Sequence, residues 1–95
     1  MEVTVEARNF KARESLREDS IKEVNRLEKF FPRIISAHVV LSGRQENKEA
    51  TVRIKVPENV LVASETADRF EVAVEAAVDK LRHQLEKYKE KLRKR

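Results

Sequence analysis

The chain has 95 residues, 40% hydrophobic and 40% charged, with a formal net charge of +4. Such a length makes one domain, residues 1–95, with a thin core that buries about 60–65% of the surface exposed by the unfolded chain. The absence of cysteine excludes disulfides, thiolate metal sites and thiol catalysis. The start, Met1-Glu2-Val3-Thr4, lacks a basic segment followed by an apolar one, and the apolar runs are only a few residues long. A secretory signal and a membrane span are therefore not expected, and a cytoplasmic location is.

In chain order, Val3, Val5 and Ala7 alternate with Glu2, Thr4 and Glu6, the period of a half-buried strand. From about Arg13 to Phe31 the spacing of Leu16, Val24, Leu27 and Phe31 predicts a helix, with Ile21 and Phe30 on its flanks. Pro32 disfavours helical geometry at Phe31 and should end it. No Ser, Thr, Asp or Asn immediately precedes Arg13 as an N-cap.

Three strand-like runs follow. Ile35, Ala37, Val39 and Leu41 alternate with Ser36, His38, Val40 and Ser42, and Ala50, Val52, Ile54 and Val56 alternate with Thr51, Arg53 and Lys55. Val60 to Ala63 is a short apolar run. Gly43 to Glu49 and Pro57-Glu58-Asn59 suit hairpin connections. A last helix is predicted from about Ala67 to near the C-terminus, with Phe70, Val74, Ala77, Val78, Leu81, Leu85, Tyr88 and Leu92 as its apolar stripe. At 1.5 Å per residue it would be about 39 Å long, so its basic end should project beyond a sheet of ordinary strands. The order β-α-β-β-β-α, with one apolar sheet face, predicts a two-layer α+β domain: a four-stranded sheet with two helices packed on one face.

The charge is unevenly placed. Lys80 to Arg95 hold eight basic residues and two acidic ones, whereas residues 1–79 hold thirteen basic and fifteen acidic. On a wheel of about 100° per residue, one flank of the last helix collects Arg69, Lys80, Lys87, Lys91 and Lys94 and no acidic residue. The opposite flank mixes Asp68, Glu71, Glu75 and Glu86 with Arg82, Lys89 and Arg93. Cations at a helix C-terminus offset the macrodipole, which accounts for the last turn but not for a stripe reaching back to Lys80. Periodicity alone leaves a polyanion partner and a solvated face both open. Lys22, Arg26 and Lys29 share a face of the first helix, where the neighbouring Glu18 and Asp19 make an ordinary surface the better explanation of this cluster taken alone.

Signals for catalysis are weak. His38 and His83 have no cysteine or close histidine partner, so a zinc site is not expected. The single glycine, Gly43, excludes a glycine-rich phosphate loop. The carboxylates suggest helix surface and not an acid/base pair. Tyr88 is the only tyrosine and tryptophan is absent. Phe10, Phe30, Phe31 and Phe70 suit core or edge packing, which favours recognition of structured RNA by shape and backbone over base stacking.

With this order in place, the sequence resembles the ribosome hibernation-promoting factors and the related ribosome-associated translation inhibitors. The resemblance rests on four stretches. They are Leu16-Arg17-Glu18 with Lys22 and Arg26-Leu27-Glu28-Lys29-Phe30; Ala37-His38-Val39-Val40-Leu41-Ser42; Ala50-Thr51-Val52 with Val60-Leu61-Val62-Ala63-Ser64; and Asp68-Arg69-Phe70, then Ala73-Val74-Glu75 and the run from Asp79 to Lys89. It implies a double-stranded-RNA-binding-like fold with an extra first strand. It further implies binding to RNA of the small ribosomal subunit in the channel for messenger and transfer RNA, with inhibition of translation and promotion of idle, often dimerised, ribosomes. Ribosome modulation factor is a further candidate partner. A cofactor, a small-molecule substrate, a membrane partner and enzymatic activity are not expected.

The candidate rRNA-binding residues are Lys80, Arg82, His83, Lys87, Lys89, Lys91 and Lys94 on the last helix, with Lys22, Arg26 and Lys29 on the first. His83 stands where the family commonly has arginine, and Arg82, one place earlier, is rotated by about 100°. Long members of the family carry an additional dimerisation domain, so the chain resembles the short form or the N-terminal domain of a long one. The alternative reading is a general double-stranded-RNA-binding module acting off the ribosome; a basic amphipathic helix acting on anionic membranes is a weaker one.

Overall fold

The structure, a computed structural model, describes residues 1–43 and 46–93. Strands β1 (Glu2–Arg8), β2 (Ser36–Gly43), β3 (Lys48–Val56) and β4 (Asn59–Ala67) form one sheet in the order β1-β2-β3-β4. β1 pairs parallel to β2 and the other pairs are antiparallel. The parallel step needs a crossover, and helix α1 (Glu14–Asn25) supplies it. Helix α2 (Phe70–Arg93) closes the chain.

Register fixes which face is apolar. Val3, Val5 and Ala7 lie beside Ala37, Val39 and Leu41, which lie beside Ile54, Val52 and Ala50. The residues of β2 and β3 in this set are buried and join Ala63 of β4 in the core. Phe70, Ala73, Val74, Ala77, Val78, Leu81 and Leu85 of α2 cover them, with Val24 of α1. Since side chains alternate along a strand, a one-residue slip would turn each of these rows to solvent.

The ends of several elements differ from the sequence reading. α1 stops at Asn25, and a 3-10 turn, Arg26–Lys29, continues in its place. The tighter winding precedes Pro32 and carries Leu27 and Phe31 into the core while leaving Phe30 37% exposed. β4 runs past the apolar stretch through Ser64-Glu65-Thr66, which pair with Thr51, Ala50 and Glu49. α2 therefore begins at Phe70 instead of Ala67. Ile35 lies before β2 and is 51% exposed, although its N–H donates to the Lys55 carbonyl at 2.8 Å. Val60 and Val62 face outward because they pair with Lys55 and Arg53.

α1 has Arg13 in extended geometry at its N-cap with no side-chain cap bond, as the absence of a capping residue implies. The β3–β4 hairpin turns on Pro57-Glu58, where Pro57 presets its own φ and Glu58 takes φ 67°. Phe10 stacks on Phe70, with ring centroids 4.5 Å apart, and a side chain at Gly43 would meet the Phe10 ring at 3.2 Å. That contact suits a residue without a Cβ.

Hydrogen bonds from helix side chains to backbone carbonyls tie the helices to the sheet and its hairpin. Arg17 Nη1 donates to the Val5 carbonyl on β1 at 2.8 Å. Gln84 Nε2 donates to the Val62 carbonyl on β4 at 3.1 Å. The Tyr88 hydroxyl donates to the Pro57 carbonyl at the hairpin, and its ring meets Phe31 edge-on at 5.4 Å. Tyr88→Phe keeps the ring and loses the bond, so it should cost about 1 kcal/mol. Thermal unfolding checks this: a fall in Tm of about 4–8 °C is expected for a domain of this size. Leu92 still packs against the core. The overhang of α2 is therefore shorter than its length suggests, because β3 and β4 are nine residues each, or about 30 Å.

Candidate nucleic-acid interface

The sheet leaves the helices as a ridge, and α2 has two flanks. On the β4 side lie Lys80, Gln84, Lys87 and Lys91, a succession at helical spacing. Lys80 Nζ is 2.9 Å from Glu65 Oε1 on β4. Glu65 faces α2 because it shares the inward register of Ala63 and Ala67. Gln84 is held at the Val62 carbonyl one turn later. Beyond it Lys87 and Lys91 are exposed and form no ion pair among the described residues. Arg69, at the start of this flank, pairs with Glu71 at 3.5 Å.

The other flank faces α1 and the 3-10 turn across a groove of about 520 Å³. Leu27, Val72, Ala76 and Val78 floor it, and Phe30 forms its lip. Two ion pairs face the groove: Arg26 with Glu23 at 3.3 Å and Arg82 with Asp79 at 3.1 Å. The Arg82 guanidinium also lies 5.6 Å from the centre of the Phe30 ring. Glu75 lines the same groove and has no ion-pair partner among the described residues.

The ten residues expected from sequence thus fall into separate places. Lys80, Lys87 and Lys91 share the β4 flank, while Arg26 and Arg82 border the groove. Lys22 lines a smaller cleft between α1 and α2, and Lys29 is exposed on the 3-10 turn. Lys89 is half-buried, turned toward the α1 side, and His83 is exposed on the crest. Lys94 lies outside the described residues. Lys80, Arg82 and Arg26 already hold a carboxylate, whereas Lys22, Lys29, Lys87, Lys89 and Lys91 hold none among the described residues. Exposed ion pairs are worth about 0–1 kcal/mol, so the paired cations can exchange a carboxylate for a phosphate at small cost. Sequence reasoning assigned Phe30 to packing; its exposed place beside Arg82 depends on the 3-10 turn, which no periodicity announces.

The opposite face of the sheet is uncovered and mixed in character. Thr4 Oγ1 lies 2.5 Å from His38 Nδ1, and His38 Nε2 lies 3.4 Å from Glu6 Oε1. A hydrogen bond from the Arg8 guanidinium, followed by the charges of Arg8 and the contact with His38, holds the Glu6 carboxyl below its ordinary value against desolvation. This cluster is solvent-exposed and lines neither groove. Among the described residues no three histidine, aspartate or glutamate side chains gather as a metal site, and no helix is long and apolar enough to cross a membrane.

Known proteins share both sequence and fold with this chain. It is 29% identical over 93 residues to a ribosome hibernation promoting factor of Escherichia coli, covering 98% of each chain. It is 25% identical over 91 residues to the Pseudomonas putida protein of the same name, covering 96% of this chain and 89% of that one. Among solved structures, a ribosomal subunit interface protein from Coxiella burnetii superposes with a TM-score of 0.87 at 24% identity, covering 94% of this chain and 98% of that one. The N-terminal domain of Thermus thermophilus Protein Y gives 0.85 at 24% identity, covering 93% and 99%. These two matches establish the four-stranded α+β fold. The sequence model of the family described as Sigma 54 modulation protein / S30EA ribosomal protein matches residues 3–93, and the chain belongs to that family.

Proposed function

We propose that this protein is a ribosome hibernation factor that binds RNA of the small ribosomal subunit through its helical face and blocks translation by occupancy, without catalysing a reaction. The observation that carries this reading is the β4 flank of α2, where Lys87 and Lys91 continue the line of Lys80 with no carboxylate partner among the described residues. A row at such spacing suits successive phosphates of an RNA strand. The named relatives, which are ribosome hibernation promoting factors, support the ribosome as the target. Lys22, Lys29 and Lys89 add cations on the α1 side, and His83 adds a donor on the crest. Lys80 contributes by exchanging its carboxylate for phosphate, and Arg82 and Arg26 contribute RNA contacts from the groove between the helices. Within the subunit, the channel for messenger and transfer RNA is the proposed seat, the cytoplasm the compartment, and ribosome dimers formed with ribosome modulation factor a proposed downstream state.

Co-sedimentation with separated small and large subunits across a salt series tests the proposal. Binding should be near-stoichiometric, confined to the small subunit and steeply salt-dependent. Six phosphate contacts, at about 0.7–0.9 each, would give a slope of about −4 to −5 in a plot of log affinity against log salt. A flat salt response, or equal binding to both subunits, would overturn it. Equal affinity for an isolated A-form duplex would favour a general double-stranded-RNA-binding module.

A further inference from the structure

The helical face carries carboxylates where a phosphate-binding surface should not. Glu23, Glu75 and Asp79 all line the groove between α1 and α2, against only Arg26 and Arg82. A phosphate entering there would meet net negative charge. Lys22 and Lys29 on the α1 side and Lys89 on α2, which have no carboxylate partner among the described residues, are not among the groove's lining residues. An apolar floor bordered by carboxylates, with lysines beyond it, is the pattern that suits a nucleotide whose base enters the groove and whose phosphates stay outside it. The size agrees: about 520 Å³ lies in the range of small-ligand pockets.

The lip supplies a stacking surface. Phe30 is 37% exposed, and the Arg82 guanidinium is 5.6 Å from its ring centre and paired with Asp79 at 3.1 Å. Unpaired RNA bases stack on aromatic rings and arginine planes and are read by hydrogen bonds to their edges. Glu23 and Asp79 are committed to arginines, which leaves Glu75 as the groove's acceptor without an ion-pair partner among the described residues. A carboxylate accepts two parallel hydrogen bonds. Guanine presents two adjacent donors on its Watson–Crick edge, N1–H and the exocyclic amine.

Resting on the RNA-binding reading, we infer that the groove between the two helices receives one unpaired guanine base of the bound RNA, stacked against Phe30 and Arg82 and held at its Watson–Crick edge by Glu75. The lysines then supply affinity without sequence preference, and the groove fixes the register of the protein on the RNA.

Chemical footprinting of small subunits separates this inference from the reading beneath it. Kethoxal reports the N1/N2 edge of unpaired guanines, and hydroxyl radicals report the backbone. The wild-type protein should protect one guanine from kethoxal. Glu75→Gln and Phe30→Ala should restore its reactivity while keeping the backbone footprint, and Phe30→Tyr should retain the protection. Phe30→Ala should also weaken binding roughly tenfold. A kethoxal pattern that is the same for wild type, Glu75→Gln and Phe30→Ala, with the backbone footprint intact, overturns the inference and leaves the RNA-binding reading standing. A carbodiimide cross-link from Glu75 to a ribosomal protein overturns it in favour of a basic peptide in the groove. Absence of any backbone footprint from the wild type overturns both.

Discussion

Charge reversal at Lys87 and Lys91 should reduce affinity for the small subunit about a hundredfold near physiological salt while leaving the fold intact. Each phosphate contact contributes about 0.9 to the slope of log affinity against log salt, so two lost contacts cost about thirtyfold between molar and physiological salt, and the introduced repulsion enlarges this. Both side chains are exposed and have no ion-pair partner among the described residues, so little in the folded state depends on them. The double variant should therefore unfold at the wild-type temperature. Lys80→Glu makes an informative contrast. It places a carboxylate opposite Glu65, the partner of Lys80 at 2.9 Å, and should lower both binding and Tm. Sedimentation binding and thermal melts on the same preparations distinguish the two cases. An unchanged affinity for the Lys87/Lys91 variant would show that the β4 flank is not the contact surface.

The largest effect on stability is expected from Leu81→Ala. Leu81 is fully buried at the centre of the α2 stripe, over a core shared with β2, β3 and β4. Truncating a buried leucine removes transfer energy and leaves a cavity, at a cost of about 2–5 kcal/mol. A domain of this length is stable by about 5–14 kcal/mol in all. At about 4–8 °C per kcal/mol, Tm should fall by roughly 8–40 °C. Urea unfolding should show a lower midpoint with an unchanged slope. Leu85→Ala, at the next turn of the same stripe, should behave alike, whereas Val72→Ala, half exposed on the groove, should be nearly neutral. That difference checks which side of α2 faces the sheet.

The sheet was largely legible in the sequence because alternation over β1, β2 and β3 specifies both the element and its inward face. The apolar stripe of α2 was legible for the same reason. What escaped were features set by a partner distant in the chain. Ser64, Glu65 and Thr66 look like a polar connection until Thr51, Ala50 and Glu49 are beside them, when they complete β4. Thr51 and Ser64 even share a side-chain hydrogen bond of 2.8 Å. The 3-10 turn escaped because Leu27 and Phe31, four residues apart, keep the spacing of an α-helix, and the Phe31 N–H indeed donates to the Leu27 carbonyl at 3.0 Å beyond the turn. The cationic flank could be drawn on a helical wheel, but a wheel shows one helix only. It could not show that Lys80 meets Glu65, or that Arg82 lies over Phe30. The candidate site was legible as a charge pattern and illegible as a division into a lysine row and a carboxylate-bearing groove.

The bonds from Arg17 to the Val5 carbonyl and from Gln84 to the Val62 carbonyl have a consequence for the behaviour of many copies together. β1 and β4 are the two outermost strands, and an outermost strand is a template on which another chain can zip. Here each template already has one of its acceptors occupied by an arm of the helix above it. Glu2, Glu6 and Arg8 on β1 and Glu65 on β4 add charge along the same borders. On the proposed function the protein would act one-to-one on ribosomes and be needed in quantity, and the two arms oppose the growth of its sheet from copy to copy as concentration rises.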